Sequence, residues 1–348
     1  MVNSPNLVSL FSGPGGLDEG FRQAGFRTLF AMDIDKAAVI THRHNHPEAQ
    51  ALQLDITRLT VEDIVNYWEE RAQGAVLHGV IGGPPCQSFS YANTNQSEAD
   101  KRHDLPYHYA RILKGLNERY GLDFFVFENV PGLKALHSER FEAFKRHFED
   151  AGFHLFEAGL EAWQYGVPQL RPRVFVVGIN RDKYPLLEFK FPEPTCQEPK
   201  TVWDAISGLP SPTLFAKGLD PETIPIHPNH WCMVPRSRKF HDGTLSRAGK
   251  FGKSFAVLNW DKPSLTVAYG HREVHIHPSG TRRLSVYEAM LLQGFSSRYR
   301  LLGTLSDQIR LVSEVVAPPV AYQIAMAIGR QIGYEMEPLV SSKEHAAD

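Results

Sequence analysis

The chain has little cysteine, no long apolar run and almost no net charge, and each shortage removes a class of protein. Cysteine occurs only at positions 86, 196 and 232 of 348 residues, without a Cys-x-x-Cys pair. Neither a disulfide framework nor a cysteine zinc site is encoded, which fits a reducing compartment. No window approaches a membrane span, and the N-terminal MVNSPNLVSLFSG lacks a basic segment followed by a long apolar run and a cleavage site. The expectation is a cytoplasmic protein, neither exported nor inserted. A formal net charge of −2 and a pI of about 6.8 argue against a strongly basic, non-specific nucleic-acid binder. Internal repeats and low-complexity tracts are also missing.

What is present suits a globular enzyme with a sizeable core and one large or two modest domains: 42% of residues are hydrophobic and 22% charged. The first 180 residues alternate short apolar runs with amphipathic segments, from NLVSLF, GLDEGFRQAG, FRTLFAMD and KAAVITHRHN through AVLHGVIGG and a helix-like stretch at 106–119 to DFFVFENV. This alternation predicts an α/β fold with a doubly wound, mostly parallel sheet. GFHLFEAGLEA and RVFVVGIN then predict a closing antiparallel pair. Residues 181–280 are rich in Pro, Gly, Lys, Arg, His and Trp with little periodicity, and predict a smaller irregular domain. SVYEAMLLQGF and PPVAYQIAMAIGRQI resume core patterning, so 281–348 is expected to return to the domain formed by 1–180.

Chemistry concentrates at the predicted strand ends. In GGPPCQSFS, at 82–90, Pro84 and Pro85 stiffen the approach to Cys86 while Gly82 and Gly83 permit close backbone approach. A thiol presented this way in a Cys-poor chain is a candidate covalent nucleophile, although most lone cysteines are buried and inert. FSGPGGLDEGF, at 11–21, places a glycine turn between a strand and a helix N-terminus. Its spacing is not Gly-x-Gly-x-x-Gly, which suits an adenosyl ligand without phosphates, such as S-adenosylmethionine, better than a dinucleotide. A tight turn with no ligand is the plainer alternative. Asp33 in AMDID stands where a carboxylate accepts from ribose hydroxyls, and Asp55 in LQLDI would reach toward an adenine amino group. Glu128 in ENVPG ends another strand, and a carboxyl partly buried beside apolar neighbours is raised in pKa by desolvation and can donate a proton at neutral pH. In QLRPRVFVVG, alternation puts Gln169, Arg171 and Arg173 on one face, with two guanidinium groups near one spot. A structural salt bridge would also account for them.

Taken together these blocks closely resemble the DNA (cytosine-5)-methyltransferase family. FSGPGG, GGPPCQSFS, ENV, QLRPR and TRRLSVYEAMLLQGF occur in family order over nearly the whole chain. The resemblance implies a class I, Rossmann-like methyltransferase fold and methyl transfer from S-adenosylmethionine to cytosine carbon 5. Cys86 would add to carbon 6, Glu128 would hydrogen-bond and protonate ring nitrogen 3, Arg173 would contact the flipped base, and Arg171 would support the same geometry. The cofactor residues implied are Phe11, Ser12, Gly13, Gly15, Gly16, Leu17, Asp33, Ile34, Asp55, Ile56, Pro84, Glu314 and Val315. A stacked base is out of reach of Cys86, so base flipping in double-stranded DNA is expected. The irregular segment corresponds to a target-recognition domain. It carries six basic residues against one acid between His230 and Phe255. Arg236, Arg238, Lys239, Lys250, Lys253 and Arg272, with Ser88 beside the nucleophile, are the candidate DNA contacts. The run with His271, His275 and His277 lacks Cys or carboxylate partners in order, and no metal is expected.

One block departs from the family. Where a Gly-Asn pair, a small residue, Val and Pro are usual, this chain reads LVSEVVAPPVA, with Ser313, Glu314 and Ala317 at the changed positions. Drift at a loop would explain it. The sharper expectation is that Glu314 alters the cofactor accepted, favouring a transferable arm that ends in a cation, such as the aminopropyl group of decarboxylated S-adenosylmethionine. Two further alternatives stand beside DNA methylation: the same chemistry on tRNA, and a DNA-binding protein that has lost catalysis. A monomer, a cognate restriction endonuclease and association with the nucleoid complete the expectations.

Overall fold

The computed structural model describes residues 4–85, 104–242, 245, 255–266, 275–336 and 338–339. Five strands form by the alternation read in the sequence: β1 (Asn6–Leu10), β2 (Arg27–Asp33), β3 (Gln50–Gln53), β4 (Leu77–Gly82) and β5 (Phe124–Asn129). Between them lie α1 (Gly16–Gln23), α2 (Lys36–Asn45), α3 (Val61–Ala72) and α4 (Leu105–Tyr120). After β5 come α5 (Pro131–Leu136), α6 (Ser138–Asp150), β6 (Phe153–Glu161), the two-residue β7 (Gln169–Leu170) and β8 (Pro172–Asn180). The main sheet has the order β3-β2-β1-β4-β5-β8-β6. The pairs among β1 to β5 are parallel, and β8, between β5 and β6, runs antiparallel to β5. The predicted doubly wound sheet and its antiparallel closing element are both there.

β1 is buried along its whole length, as a central strand covered by helices on both faces must be. Trp68, Tyr109, Ile112, Leu113, Phe125, Phe127, Phe144 and Phe148 build the core on one side, and each fully buried side chain of this size contributes about 1.5–3 kcal/mol. Close strand packing requires glycine at two places. A Cβ on Gly82 would lie 2.1 Å from the Leu10 carbonyl oxygen, and one on Gly178 would lie 1.9 Å from the Phe125 ring.

The chain divides into two compact units. The first comprises Met1–Leu160, Pro172–Glu193 and Val320–Asp348, and the second Glu161–Arg171 and Pro194–Pro319. These limits differ from the expected 1–180, 181–280 and 281–348. Residues 181–193 stay with the sheet, where Lys190 exchanges two hydrogen bonds with Gln331 of α10 (Pro318–Ile332). Residues 281–319 stay with the irregular unit, because α7 (Val202–Ile206) and α8 (Val286–Leu292) share one small core of Val202, Ile206, Leu258, Leu284 and Leu292. α9 (Leu305–Glu314) belongs there too. Only from Val320 does the chain return to the first unit. The second unit otherwise has strands of two residues. No single helix is long and apolar enough to cross a membrane among the described residues.

Candidate active site

The glycine loop leaves β1 with three left-handed residues in five: Phe11 at φ 54°, Gly13 at 54° and Gly15 at 96°. For Phe11 this is a sparsely populated conformation that surroundings must impose. They do so from β2, since Ser12 N–H donates to the Met32 carbonyl at 3.0 Å and Gly13 N–H donates to Asp33 Oδ2 at 2.9 Å. Gly15 N–H then turns back to the Ser12 carbonyl, and Gly16 and Leu17 open α1 as buried residues. A Cβ on Gly13 would meet nothing within 4 Å, so the loop faces open space over a helix N-terminus. Ile34, beyond the tip of β2, is 63% exposed, whereas Ile56 is buried. Asp55 caps the short helical turn Ile56–Arg58, accepting from Thr57 N–H and hydroxyl, and these bonds hold its carboxyl below the usual range. Its Oδ1 is therefore committed locally, and its Oδ2 lies 3.4 Å from Arg58 Nε.

Glu128 emerges at the carboxyl end of β5. Register explains its partner: Glu128 stands opposite Phe175, so Arg173 is the diagonal neighbour on the same face of the antiparallel pair. Arg173 Nε lies 2.9 Å from Glu128 Oε1, with both side chains close to nine-tenths buried. Glu128 thus sits in an ion pair and not among apolar neighbours alone, which corrects the expected surroundings. A Cβ on Gly83 would lie 2.8 Å from Glu128 Oε2, so the Gly-Gly-Pro-Pro segment passes directly against the carboxylate.

Arg171 and Arg173 do not share one strand face. The chain breaks between β7 and β8, β7 pairing with Ser264–Leu265 and β8 with β5. Arg171 is buried in the second unit, where Nη2 donates to the carbonyls of Ser313 at 2.9 Å and Val315 at 2.7 Å. It grips both residues flanking Glu314. Gln169, also buried, donates to the Leu292 carbonyl in the same unit. Glu314, the last residue of α9, has its carboxylate 3.3 Å from Arg310 one turn earlier, and Val315 is buried.

Two residues missed in the sequence support the site. Asn129, fully buried, donates from Nδ2 to the Pro84 carbonyl at 3.2 Å and accepts from Val130 N–H, tying the Pro-Pro segment to the end of β5. The Tyr109 hydroxyl donates to the Val126 carbonyl at 3.0 Å, under the strand ends that carry Gly82 and Glu128. Asparagine after a strand-end glutamate was a visible signal for the first; nothing local marked the second. Cys86, Ser88, Lys250, Lys253, Arg272 and His271 lie outside the described residues. Arg236, Arg238 and Lys239 are exposed, Lys239 over the Phe255 ring at 5.0 Å. His275 is buried in a short strand, His277 packs edge-on to Trp260, and no metal-ligating cluster occurs among the described residues.

An open α/β sheet with an antiparallel strand inserted before its last member, a glycine loop at β1 and an acid at the end of β5 define a class I methyltransferase. The profile of C-5 cytosine-specific DNA methylases matches residues 6–330. The Type II methyltransferase M.FnuDI of Fusobacterium nucleatum is 33% identical over 92% of this chain and 93% of that protein. M.MthTI of Methanothermobacter thermautotrophicus is 32% identical over 94% and 98%. A crystal structure described as a prophage-encoded DNA modification methyltransferase of E. coli superimposes with a TM-score of 0.77 at 26% identity, covering 94% of this chain and 99% of that one. The chain belongs to the C-5 cytosine-specific DNA methylase family and is a DNA cytosine-5 methyltransferase. Family and fold imply S-adenosylmethionine as methyl donor. The residues present fit it: an open glycine cradle, a carboxylate at the tip of β2 and an exposed apolar side chain, Ile34, beside it.

Proposed function

We propose that the chain methylates cytosine in duplex DNA through a covalent adduct of Cys86. The observation that carries this reading is the Glu128–Arg173 pair pressed against Gly83. Gly83 precedes Cys86 by three residues, a chain length of at most about 11 Å. With the target base flipped out, at a cost of a few kcal/mol, the Cys86 thiolate adds to carbon 6 while Glu128 delivers a proton to nitrogen 3. The electron pair displaced from the 5,6 double bond makes carbon 5 nucleophilic. Arg173 orients the Glu128 carboxyl and contacts the base. S-adenosylmethionine, when bound, supplies the electrophilic methyl group. Loss of the carbon-5 proton to water, expulsion of Cys86 as thiolate and return of the nitrogen-3 proton to Glu128 then restore the ring. Phe11, Ser12, Gly13, Gly15, Gly16, Leu17, Asp33, Ile34, Asp55, Ile56, Pro84 and Val315 hold the donor. Arg236, Arg238 and Lys239, with Lys250, Lys253, Arg272 and Ser88, meet DNA from the recognition segment and the nucleophile loop.

The finer reading concerns Glu314, which stands where the family carries asparagine. Arg171 holds its neighbours' carbonyls, so its backbone is fixed, and its carboxylate, now 3.3 Å from Arg310, exchanges that partner for a donor arm that ends in a cation. A charge-assisted contact is worth about 1.5–3 kcal/mol, roughly ten-fold to hundred-fold in preference. The relatives are Type II methyltransferases, which supports a cognate restriction endonuclease; a monomer and a cytoplasmic, nucleoid-associated location complete the proposal.

Intact mass of a cytosine-containing duplex, incubated with enzyme and either S-adenosylmethionine or its decarboxylated form, tests both readings. A gain of one methyl that vanishes in Cys86→Ala supports the adduct mechanism. An aminopropyl-sized gain that reverts to methyl in Glu314→Asn supports selection by Glu314, and an unchanged preference in that variant discards it. A methyl gain that persists in Cys86→Ala overturns the adduct.

A further inference from the structure

Asp18, in the first turn of α1, is 1% exposed and takes no part in the chemistry above. Its carboxylate accepts from the Ser9 hydroxyl of β1 at 3.0 Å and from the Thr28 hydroxyl of β2 at 2.9 Å, and His42 Nε2 of α2 lies 3.3 Å from Oδ1. Ser9 and His42 are fully buried, and the His46 ring lies 4.7 Å from that of His42, tilted by 44°. Burial alone would raise the carboxyl's pKa, but His42, His46 and the Thr28 hydroxyl outweigh it and hold the group below the usual range, so it is charged at neutral pH. An apolar side chain at this helix position would fill the same space without the desolvation cost.

The geometry explains what the charge does. The Ser9–Asp18 hydrogen bond closes the chain on itself at the base of residues 10–17, the segment that contains the whole glycine loop. Asp33 holds the same loop from the other end, through Gly13 N–H. The left-handed Phe11, Gly13 and Gly15 are thereby fixed between two carboxylates, Asp33 at the tip of β2 and Asp18 in the first turn of α1. We infer that Asp18 is a positioning residue for the cofactor: a buried staple, joined to β1, β2 and α2, that holds the glycine loop in its binding shape. This rests on the reading of the loop as the donor cradle.

The test compares Asp18→Asn with Tyr334→Phe. Tyr334 hydrogen-bonds Asp123 at 2.6 Å at the amino end of β5 in the same unit, and its loss destabilises the sheet without touching the loop. Amide exchange is followed at Ser12, Gly13 and Gly15, with calorimetric affinity for S-adenosylmethionine, KM and kcat alongside. Asp18→Asn is expected to speed exchange at these amides at least ten-fold, to weaken cofactor binding and raise its KM by about the same factor, and to leave kcat and DNA affinity within two-fold. Tyr334→Phe should lower Tm while leaving loop exchange and cofactor affinity within two-fold. If Asp18→Asn changes the loop and the affinity no more than Tyr334→Phe does, Asp18 is merely structural and the inference falls. Should Asp18→Asn fail to fold, Thr28→Val removes one of the three partners and is expected to give about a three-fold effect; none would overturn the inference. Failure of the wild type to bind S-adenosylmethionine would refute the cradle reading instead, and the exchange rates would still decide whether Asp18 holds the loop.

Discussion

The two units of this chain are held together by different means. In the first, long strands buried on both faces define the shape, and polar side chains are added where the strands end. In the second, strands are two residues long and side-chain hydrogen bonds replace the ladder. Asn229 Nδ2 donates to the Leu301 carbonyl at 2.7 Å and to Gln308 Oε1 at 2.8 Å, and Trp231 Nε1 donates to that same oxygen at 2.8 Å. His230 bridges Ser285 and the Pro210 carbonyl, and His227 stacks on Tyr287 at 4.1 Å. A sheet tolerates change on its rim because its ladder persists. A unit stitched by buried side chains depends on each stitch.

That contrast can be broken by mutation. Glu128→Gln alters the rim of the sheet unit and should leave its fold intact while removing the acid, so turnover is expected to fall roughly 10²–10⁴-fold with Tm little changed. Single-turnover methylation and a thermal melt measure the two effects, and a loss below ten-fold would remove Glu128 from the proton-transfer role. In the second unit Gln308→Leu leaves the Trp231 N–H without its acceptor and takes one of two from Asn229 Nδ2. The expected cost is about 2–4 kcal/mol of stability, read by urea unfolding, with cofactor affinity unchanged. A cost below about 0.5 kcal/mol would mean that the second unit does not rely on its stitches.

The same contrast decides how much could be read in advance. The sheet was legible because burial on two faces writes itself into runs such as FFVF, and because a parallel strand delivers its last residues, Asp33 and Glu128, to one edge. Arg171 departs from the alternation that its sequence predicts because the chain passes from one sheet to another at Pro172. The partners of Asn129 and Asp18 were invisible for another reason. Asn129 reaches Pro84, 45 residues away, and Asp18 joins three separate elements, contacts that leave no periodic trace. The second unit was legible only as irregularity, since nothing in its composition says which polar group meets which.

Acid sensitivity is the property expected to be common to both units, and it gives the finest test of the comparison. Burial pushes His46 of the first unit and His227 and His277 of the second down to about 4. The neighbouring His42 lowers His46 further, while Asp18 and Glu19 oppose the shift. An unfolded histidine titrates near 6.5, so between pH 6.5 and 4 the unfolded chain binds protons that the folded chain refuses. Stability is therefore full above pH 6.5 and declines as pH falls toward 4, below which these groups add no further slope. For the deeply buried His46 the loss at pH 4.5 is on the order of 2–3 kcal/mol; the partly exposed His277 contributes less. Urea unfolding at pH 7.0 and 4.5 reads the sum, and His46→Gln isolates the part that belongs to that residue. Burial also lowers His78 and His108 of the first unit, so if His46→Gln keeps the full acid loss of the wild type, the same unfolding measurements on His78→Gln and His227→Gln decide which unit carries it. A loss that survives His78→Gln and shrinks in His227→Gln would place the acid response in the stitched unit, and the two units would differ in their response to protons as well as in architecture.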